Sequence, residues 1–457
     1  MTETRGPVHL IGIGGIHMSA IGQLLREQGV AVSGSDLRPS SLTEKLAAMG
    51  ATVAYGHAAA NVPVGTALVV TTAAADDDNP ELGEARRRGI PVLLRAEMVA
   101  RLMEGKRVVA VSGAHGKTTT SSLIAHILVS AGREPMYLLG GESLDLGGHA
   151  SWGKGDICVV EADEYKRAFH EYTPDIAIIL NVEPDHLDYY GTAAAYRQAF
   201  VEFGKKVKEG GIILACADDP GAREVSDILG DDPVRQETYG IEGVRYWMAG
   251  EVRMSDGGAD FEVTRGGTPI GRMHAKVPGE HFVRNALAAT AACLHLDVPF
   301  DTIAAAVATF RGARRRFERL GEAGGVLVMD DYAHHPSEVK ATIAAALRAF
   351  PERRIIGVHQ PHTYSRISYL WDDWLTCWDG LSALVVLETY AAREKPLPGY
   401  SAADLAAAIR GVETVYASDF DDAAAKARAL ARPGDVVFTV GAGDVVEVGP
   451  KLLELLR

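Results

Sequence analysis

An α/β fold of three domains is the architecture this sequence predicts, on three observations. At 457 residues the chain is long enough for about three domains of ~150 residues each. Short β-branched runs alternate with Ala/Leu-rich amphipathic segments along most of its length, the pattern of βα units around parallel sheets. Two of those runs break into glycine turns that open helices, GIGGIHM and SGAHGKTTT, as the strands of nucleotide-binding sheets do.

Taken in order, the first block (residues 1–105) reads as a Rossmann-like domain. VHLIGIGG is a strand entering a glycine turn, SAIGQLLREQG a helix ending at Gly29, and AVSGSD a second strand; TALVVTTAA and IPVLLR are further strands. The second block (106–314) opens with VVAVSGAHGKTTT and continues through the strands DICVVEADE, DIAIILNVEP and GGIILACAD. Within it, residues 244–277 change to short alternating strands with glycine-rich turns, which predicts a small antiparallel insertion. GEHFVRNALAATAACLHL then returns to helix. The third block (315–457) carries the strands GVLVMDDYA, RIIGVHQ, ALVVLETY and DVVFTVGAG with helices such as PSEVKATIAAALRAF between them, a second Rossmann-like domain.

Composition excludes several classes. With 47% hydrophobic and 23% charged residues the chain is an ordinary globular one, and a formal charge of −14 argues against nucleic acid or an anionic membrane as partner. Four scattered cysteines without C-x-x-C spacing make disulfides and thiolate metal sites unexpected and fit a reducing cytoplasm. No run approaches the ~20 apolar residues of a membrane span, and the N-terminus lacks a signal-peptide core. A cytoplasmic location is the expectation.

Gly113, Ala114, His115 and Gly116, between a strand and a helix, form a backbone N–H cradle for an anion. Lys117 reaches the terminal phosphates, the Thr118 hydroxyl faces Mg²⁺, and Thr119 follows in the first helical turn. The strict phosphate-loop pattern wants a glycine where Val111 stands, so the loop is entered differently. Magnesium needs hard oxygen ligands from neighbouring strand ends, and EADE offers Glu161, Asp163 and Glu164. NVEPDHLD offers Asn181, Glu183, Asp185, His186 and Asp188. Taken singly, each is as readily a strand end or helix cap; Lys117, Glu161 and His186 together point to a nucleotide–metal site. In the first turn Gly12, Gly14 and Gly15 suit a diphosphate, with Asp36 at ribose-reading distance and His17 in place of the third glycine.

The motifs GIGGIHM, SGAHGKTTT, EADE, NVEPDHLDYYG, RNALAA, RRRFERLG, DDYAHHPSE, QPHTYSR and TYAAREKP, in this order, resemble the Mur ligases of peptidoglycan synthesis. The resemblance spans nearly the whole chain. It implies an N-terminal domain for a uridine diphosphate, a central phosphate-loop ATPase-type domain, and a C-terminal domain that closes over them. It further implies ATP-dependent activation of the lactyl carboxylate of UDP-N-acetylmuramic acid as an acyl phosphate, then attack by L-alanine, with ATP and Mg²⁺ as cofactors. Residue by residue it gives Lys117 the ATP phosphates, Thr118 and Glu161 one Mg²⁺, and His186 a second. Asn285, Arg316 and Asp331 fall on nucleotide-contacting positions, Arg315 adjacent. Tyr332, His334, His362 and Arg366 fall on the amino-acid side, where a guanidinium pairs two-point with a carboxylate. Outside that resemblance, His334-His335 reads as a core histidine beside a helix cap, Arg314–Arg316 as a linker, and Tyr332 as packing.

Three positions depart from the family pattern. Phe282 stands where an asparagine is usual in the G-x-H motif. YRQAFVEF lacks the lysine that several sister enzymes carbamylate, so no such modification is expected. His17 reshapes the first turn. Three rival readings compete. A recycling ligase would add a tripeptide to the same UDP-sugar, and QPHTYSR with DDYAHHPSE favours alanine over it. A nicotinamide-dependent dehydrogenase leaves GAHGKTTT idle. A nucleotide-gated binding protein requires degraded magnesium groups, and these are intact.

Overall fold

The computed structural model describes residues 6–72, 75, 78–230, 234–255, 258–392 and 394–457. It is an α/β protein built on three sheets, as the alternating pattern predicts. In the first third, β1 (Val8–Ile11), β2 (Val32–Asp36), β3 (Thr52–Tyr55), β4 (Leu68–Thr71) and β5 (Val92–Leu94) form a sheet in the order β3-β2-β1-β4-β5. All neighbouring pairs run parallel, so helices cross between them, as right-handed βαβ connections require.

The second sheet has ten strands. Its parallel centre is β6 (Arg107–Ser112) between β9 (Ile157–Glu161) and β10 (Ile176–Ile179). Beyond β9 lie β7 (Met136–Ser143) and β8 (Gly148–Ser151); beyond β10 lie β11 (Ile212–Cys216), β12 (Arg235–Gly240) and the insertion β13 (Trp247–Ser255), β14 (Gly258–Arg265) and β15 (Thr268–Ala275). Gly266 (φ 55°) and Gly267 (φ 79°) make the two-residue link between β14 and β15, the left-handed pair that a tight hairpin demands. The third sheet orders β16 (Glu318–Ala323), β17 (Val326–Asp331), β21 (Val436–Val440), β18 (Ile355–His359), β19 (Ala383–Leu387) and β20 (Glu413–Ala417) as β16-β17-β21-β18-β19-β20. Only β16 pairs antiparallel there.

Contacts divide the chain into two compact units. One holds the chain up to Gly250 with Glu262–Met273 and Arg284–Phe310; the other holds Glu251–Phe261, His274–Val283 and Arg311–Arg457. Within the first, the helix Ile16–Glu27 docks on the β7–β8 hairpin. The hydroxyl of Ser19 meets His149 Nε2 at 3.0 Å, Gln23 Nε2 donates to the Ala150 carbonyl at 2.6 Å, and Glu27 accepts from the Trp152 N–H at 2.6 Å. The first two sheets are thereby held together by specific polar contacts as well as packing.

Under the end of β2 lies a buried carboxylate, Glu81. It accepts from Ser35 Oγ at 2.6 Å, Asn61 Nδ2 at 2.8 Å and Ala58 N at 3.2 Å, and faces His9 Nε2 at 3.1 Å. Burial opposes its charge, but the hydrogen bonds from His9, Ser35 and Asn61 prevail and hold its pKa down to about 2, from 4.5. A depressed carboxylate stabilises the fold above its unfolded pKa, and that stabilisation is lost as pH falls through the folded value. The melting temperature is therefore expected to fall more steeply for the natural protein than for Glu81→Gln between about pH 5 and about pH 2. Calorimetric scans across that window check this; parallel slopes would remove Glu81 from the account.

Candidate active site

Adjacent parallel strands deliver their carboxyl ends to one place. Because β6 lies between β9 and β10, the loop after β6, the carboxylates after β9 and the asparagine after β10 emerge side by side. Gly113 (φ 143°) and Gly116 (φ 81°) both occupy the left-handed side of backbone space. A Cβ on Gly113 would stand 3.0 Å from Leu180 Cβ, and one on Gly116 3.1 Å from Asn285 Oδ1. Asn181 struts the loop: its Oδ1 accepts from His115 N at 2.8 Å and its Nδ2 donates to the His115 carbonyl at 3.0 Å. His115 Nε2 in turn meets Glu183 Oε2 at 3.1 Å. The helix Lys117–Ser130 then starts from Gly116 without a side-chain cap, which leaves its first N–H groups, Thr119 included, for a ligand.

The Lys117 ammonium donates to Glu164 Oε2 at 2.8 Å, to the Gly113 carbonyl at 2.5 Å and to the Ala114 carbonyl at 3.3 Å. Burial disfavours its charge, yet Glu164, Asp163 and Glu161 more than compensate and raise its pKa above the ordinary lysine value. Glu161 closes β9 and is buried. It accepts from Thr118 Oγ1 at 3.3 Å and Ser121 Oγ at 3.3 Å. Gly140 makes room for it, since a Cβ there would lie 2.5 Å from Glu161 Oε2. A hydroxyl and a carboxylate in direct contact, both hard oxygen donors, fit a magnesium site between Thr118 and Glu161.

His186 sits in left-handed backbone (φ 52°) at the start of the short helix Leu187–Tyr190. Its Nε2 lies 3.8 Å from Glu164 Oε1 and 3.7 Å from Asp185 Oδ2, with its ring 4.7 Å from that of Tyr165. Glu164 thus stands between Lys117 and His186, and Tyr190 Oη donates to its carbonyl. Sequence reasoning included Glu164 among strand-end acids without seeing this bridging place. The side chain of Asp188 lies outside those described. Asn285 is buried against Gly116 on the helix Glu280–His295, while Phe282 on that helix is fully buried, a core residue.

At the first glycine turn, Asp36 Oδ2 accepts from Gly14 N at 2.8 Å and Oδ1 from Leu37 N at 2.7 Å. Gly12 (φ 78°) donates to the Ser35 carbonyl at 2.8 Å and accepts from Gly15 N at 3.1 Å. Asp36 therefore stitches the turn to the end of β2. A Cβ on Gly14 would meet its carboxylate at 2.9 Å.

The second unit gathers its own set. Asp331 ends β17 and accepts from Phe317 N at 2.8 Å and Ala333 N at 2.9 Å. Burial pushes its pKa up to about 6 against the pull of Arg316. Arg316 lies 5.1 Å above the Tyr332 ring and 3.7 Å from Glu338. Arg315 is occupied within the fold, donating to Asp330 at 3.0 Å and to the carbonyls of Gly443 at 3.0 Å and Gly441 at 2.7 Å. Tyr332, His334, His362 and Arg366 form one connected row. The Tyr332 and His334 rings are 5.4 Å apart, the His334 and His362 rings 6.0 Å, and Arg366 NH1 lies 3.1 Å from His362 Nδ1. His362 is stacked on Tyr390 at 5.3 Å.

The sequence matches three family descriptions in succession: "Mur ligase family, catalytic domain" over residues 7–107, "Mur ligase middle domain" over 111–293, and "Mur ligase, glutamate ligase domain" over 315–443. It is 44% identical over 452 residues to a UDP-N-acetylmuramate–L-alanine ligase of Anaeromyxobacter sp. (strain Fw109-5), covering 98% of both chains. It is 43% identical to the enzyme of that name from Sorangium cellulosum, covering 96% of this chain and 94% of that one. Among solved structures it resembles the UDP-N-acetylmuramate–alanine ligase of Thermotoga maritima, with TM-score 0.83, 27% identity and 99% of each chain covered. A murein peptide ligase from Psychrobacter arcticus matches with TM-score 0.73 and 25% identity, covering 99% of this chain and 98% of that one.

Proposed function

The chain belongs to the Mur ligase family, and we propose that it joins L-alanine to the lactyl carboxylate of UDP-N-acetylmuramic acid at the expense of ATP, in peptidoglycan precursor synthesis. The observation that carries this reading is the geometry around Lys117: a glycine cradle, an ammonium and a hydroxyl–carboxylate pair at the carboxyl ends of two adjacent strands. Full-length identity of 44% to an alanine-adding relative supports alanine over a tripeptide.

The reaction needs no protein nucleophile. A carboxylate oxygen attacks the γ-phosphorus of ATP and ADP departs, leaving an acyl phosphate. The alanine amine then adds to the carbonyl carbon and phosphate leaves. The chain's part is positioning and charge. Lys117 holds the phosphates, with Gly113, Ala114, His115, Gly116 and Thr119 supplying backbone groups and Asn285 lying beside the loop. Arg316 and Asp331 act toward the nucleotide from the C-terminal domain. Thr118 and Glu161 would hold one Mg²⁺ and His186 a second, and the bound ions would supply positive charge to the phosphate oxygens. Gly12, Gly14 and Gly15 receive the uridine diphosphate, with Asp36 bracing their turn. Tyr332, His334, His362 and Arg366 receive L-alanine. The domains on this reading are residues 1–105, 106–314 and 315–457. We also place the protein in the cytoplasm; no helix among the described residues is long and apolar enough to cross a membrane.

A coupled phosphate-release assay tests the reading. Release is expected only when UDP-N-acetylmuramic acid and L-alanine are both present, and the L-Ala-γ-D-Glu-diaminopimelate tripeptide should not replace alanine. Release that ignores either substrate would overturn it.

A further inference from the structure

Arg95 opens the helix Arg95–Leu102 directly after β5, in the first sheet's domain, yet its guanidinium reaches the EADE turn of the second. NH2 donates to Asp163 Oδ2 at 2.6 Å. NH1 lies 2.5 Å from His17 Nδ1, and because a guanidinium has no acceptor, that nitrogen accepts and the imidazole is neutral. Burial together with Arg95 agrees, lowering the His17 pKa to about 3. The other Asp163 oxygen accepts from Tyr165 N at 3.1 Å. Arg95 thus occupies Asp163, while the neighbouring Glu164 occupies Lys117.

That division of labour has an electrostatic consequence. Asp163 and Glu164 follow one another after β9, close to the single ammonium that the ATP phosphates require. Each carboxylate left uncompensated beside the phosphate loop repels a polyanion and competes for Lys117. Resting on the ATP-dependent reading above, we propose that Arg95 is a positioning residue of the nucleotide site. By holding Asp163, it leaves Glu164 as the carboxylate hydrogen-bonded to Lys117, to be exchanged for phosphate. His17, on the first turn of the helix that the glycine turn opens, aims the guanidinium. The residue that departs from the glycine fingerprint thus links the helix after that turn, through Arg95, to the EADE turn.

Titration calorimetry with Mg-ADP and steady-state kinetics against ATP test this on the full-length natural protein, Arg95→Gln, Arg95→Lys, Asp163→Asn and the Arg95→Gln/Asp163→Asn double variant. Arg95→Gln is expected to raise the ADP Kd and the KM for ATP by about tenfold, with the KM for L-alanine unchanged. Arg95→Lys should fall between, since it keeps charge and loses the fork; it also serves where the glutamine variant does not fold. The double variant should recover most of the loss, because no carboxylate remains to be neutralised, whereas a bridge that merely joins the two domains stays broken. An unchanged ADP Kd in Arg95→Gln, or a double variant no better than the single, overturns the inference. Failure of the natural protein itself to bind ADP would overturn the ATP-dependent reading beneath it.

Discussion

Lys117→Ala is expected to lower kcat by about 10²–10³-fold, the usual loss when a preorganised charge at a transferring phosphate is removed. Its affinity for UDP-N-acetylmuramic acid should be unchanged. The separation follows from the architecture: Lys117 belongs to the loop after β6, whereas the turn Gly12–Gly15 is braced by Asp36 at the end of β2. The substitution also strands Glu164, whose side chain is only 2% exposed and whose Oε2 loses a partner at 2.8 Å. Removing one member of a buried pair typically costs about 3–5 kcal/mol, so the melting temperature should fall as well. Lys117→Ala/Glu164→Gln separates the two effects: it should regain stability without regaining turnover. Calorimetry, thermal denaturation and the coupled assay on both variants decide it. Near-normal turnover in Lys117→Ala would remove the lysine from the reaction, and recovery of turnover with stability would reduce its role to holding Glu164.

The glycine turn between β6 and the helix Lys117–Ser130 was legible despite its broken consensus, and the structure explains why. Val111, where the pattern wants glycine, is an interior residue of β6, fully buried and in register with Ile178 and Glu161. The positions that need glycine are Gly113 and Gly116, where φ is positive and the neighbours leave little space for a Cβ. The strands read as strands because parallel sheets covered on both faces carry unbroken apolar runs; IAII of β10 is buried throughout. The hairpin β7–β8 was missed because MYLLGGESLDLGGHAS is rich in glycine and ends in polar residues. That composition reflects its job, with Gly140 yielding space to Glu161 and His149 meeting Ser19. Arg95 was invisible for a different reason. Its partners His17 and Asp163 lie 78 and 68 positions away, and no local pattern announces a contact between two sheets.

Arg366→Lys is expected to raise the KM for L-alanine about tenfold or more while barely moving the KM for ATP, the range set by losing one charged hydrogen bond. Arg366 lies on the short helix Tyr364–Tyr369, just past the carboxyl end of β18, where an open α/β sheet presents ligand groups. Its NH1 is 3.1 Å from His362 Nδ1, and His362 is fixed from the other side by stacking on Tyr390. Thr363, at φ 67°, turns the chain between them and donates its N–H to the Tyr390 carbonyl at 3.1 Å. Glu394 holds the next residue but one, accepting from Ser365 N at 2.8 Å. The guanidinium is therefore carried on a braced turn, the condition for a two-point fork to be worth more than its charge. Lysine keeps the charge and loses the fork, so a clamp on the α-carboxylate of alanine should weaken while the nucleotide groups around Lys117 are untouched. A packing role predicts the opposite pattern, a lower melting temperature with the alanine KM unaltered. Measuring both quantities on one preparation separates them, and that second pattern would remove Arg366 from the amino-acid site.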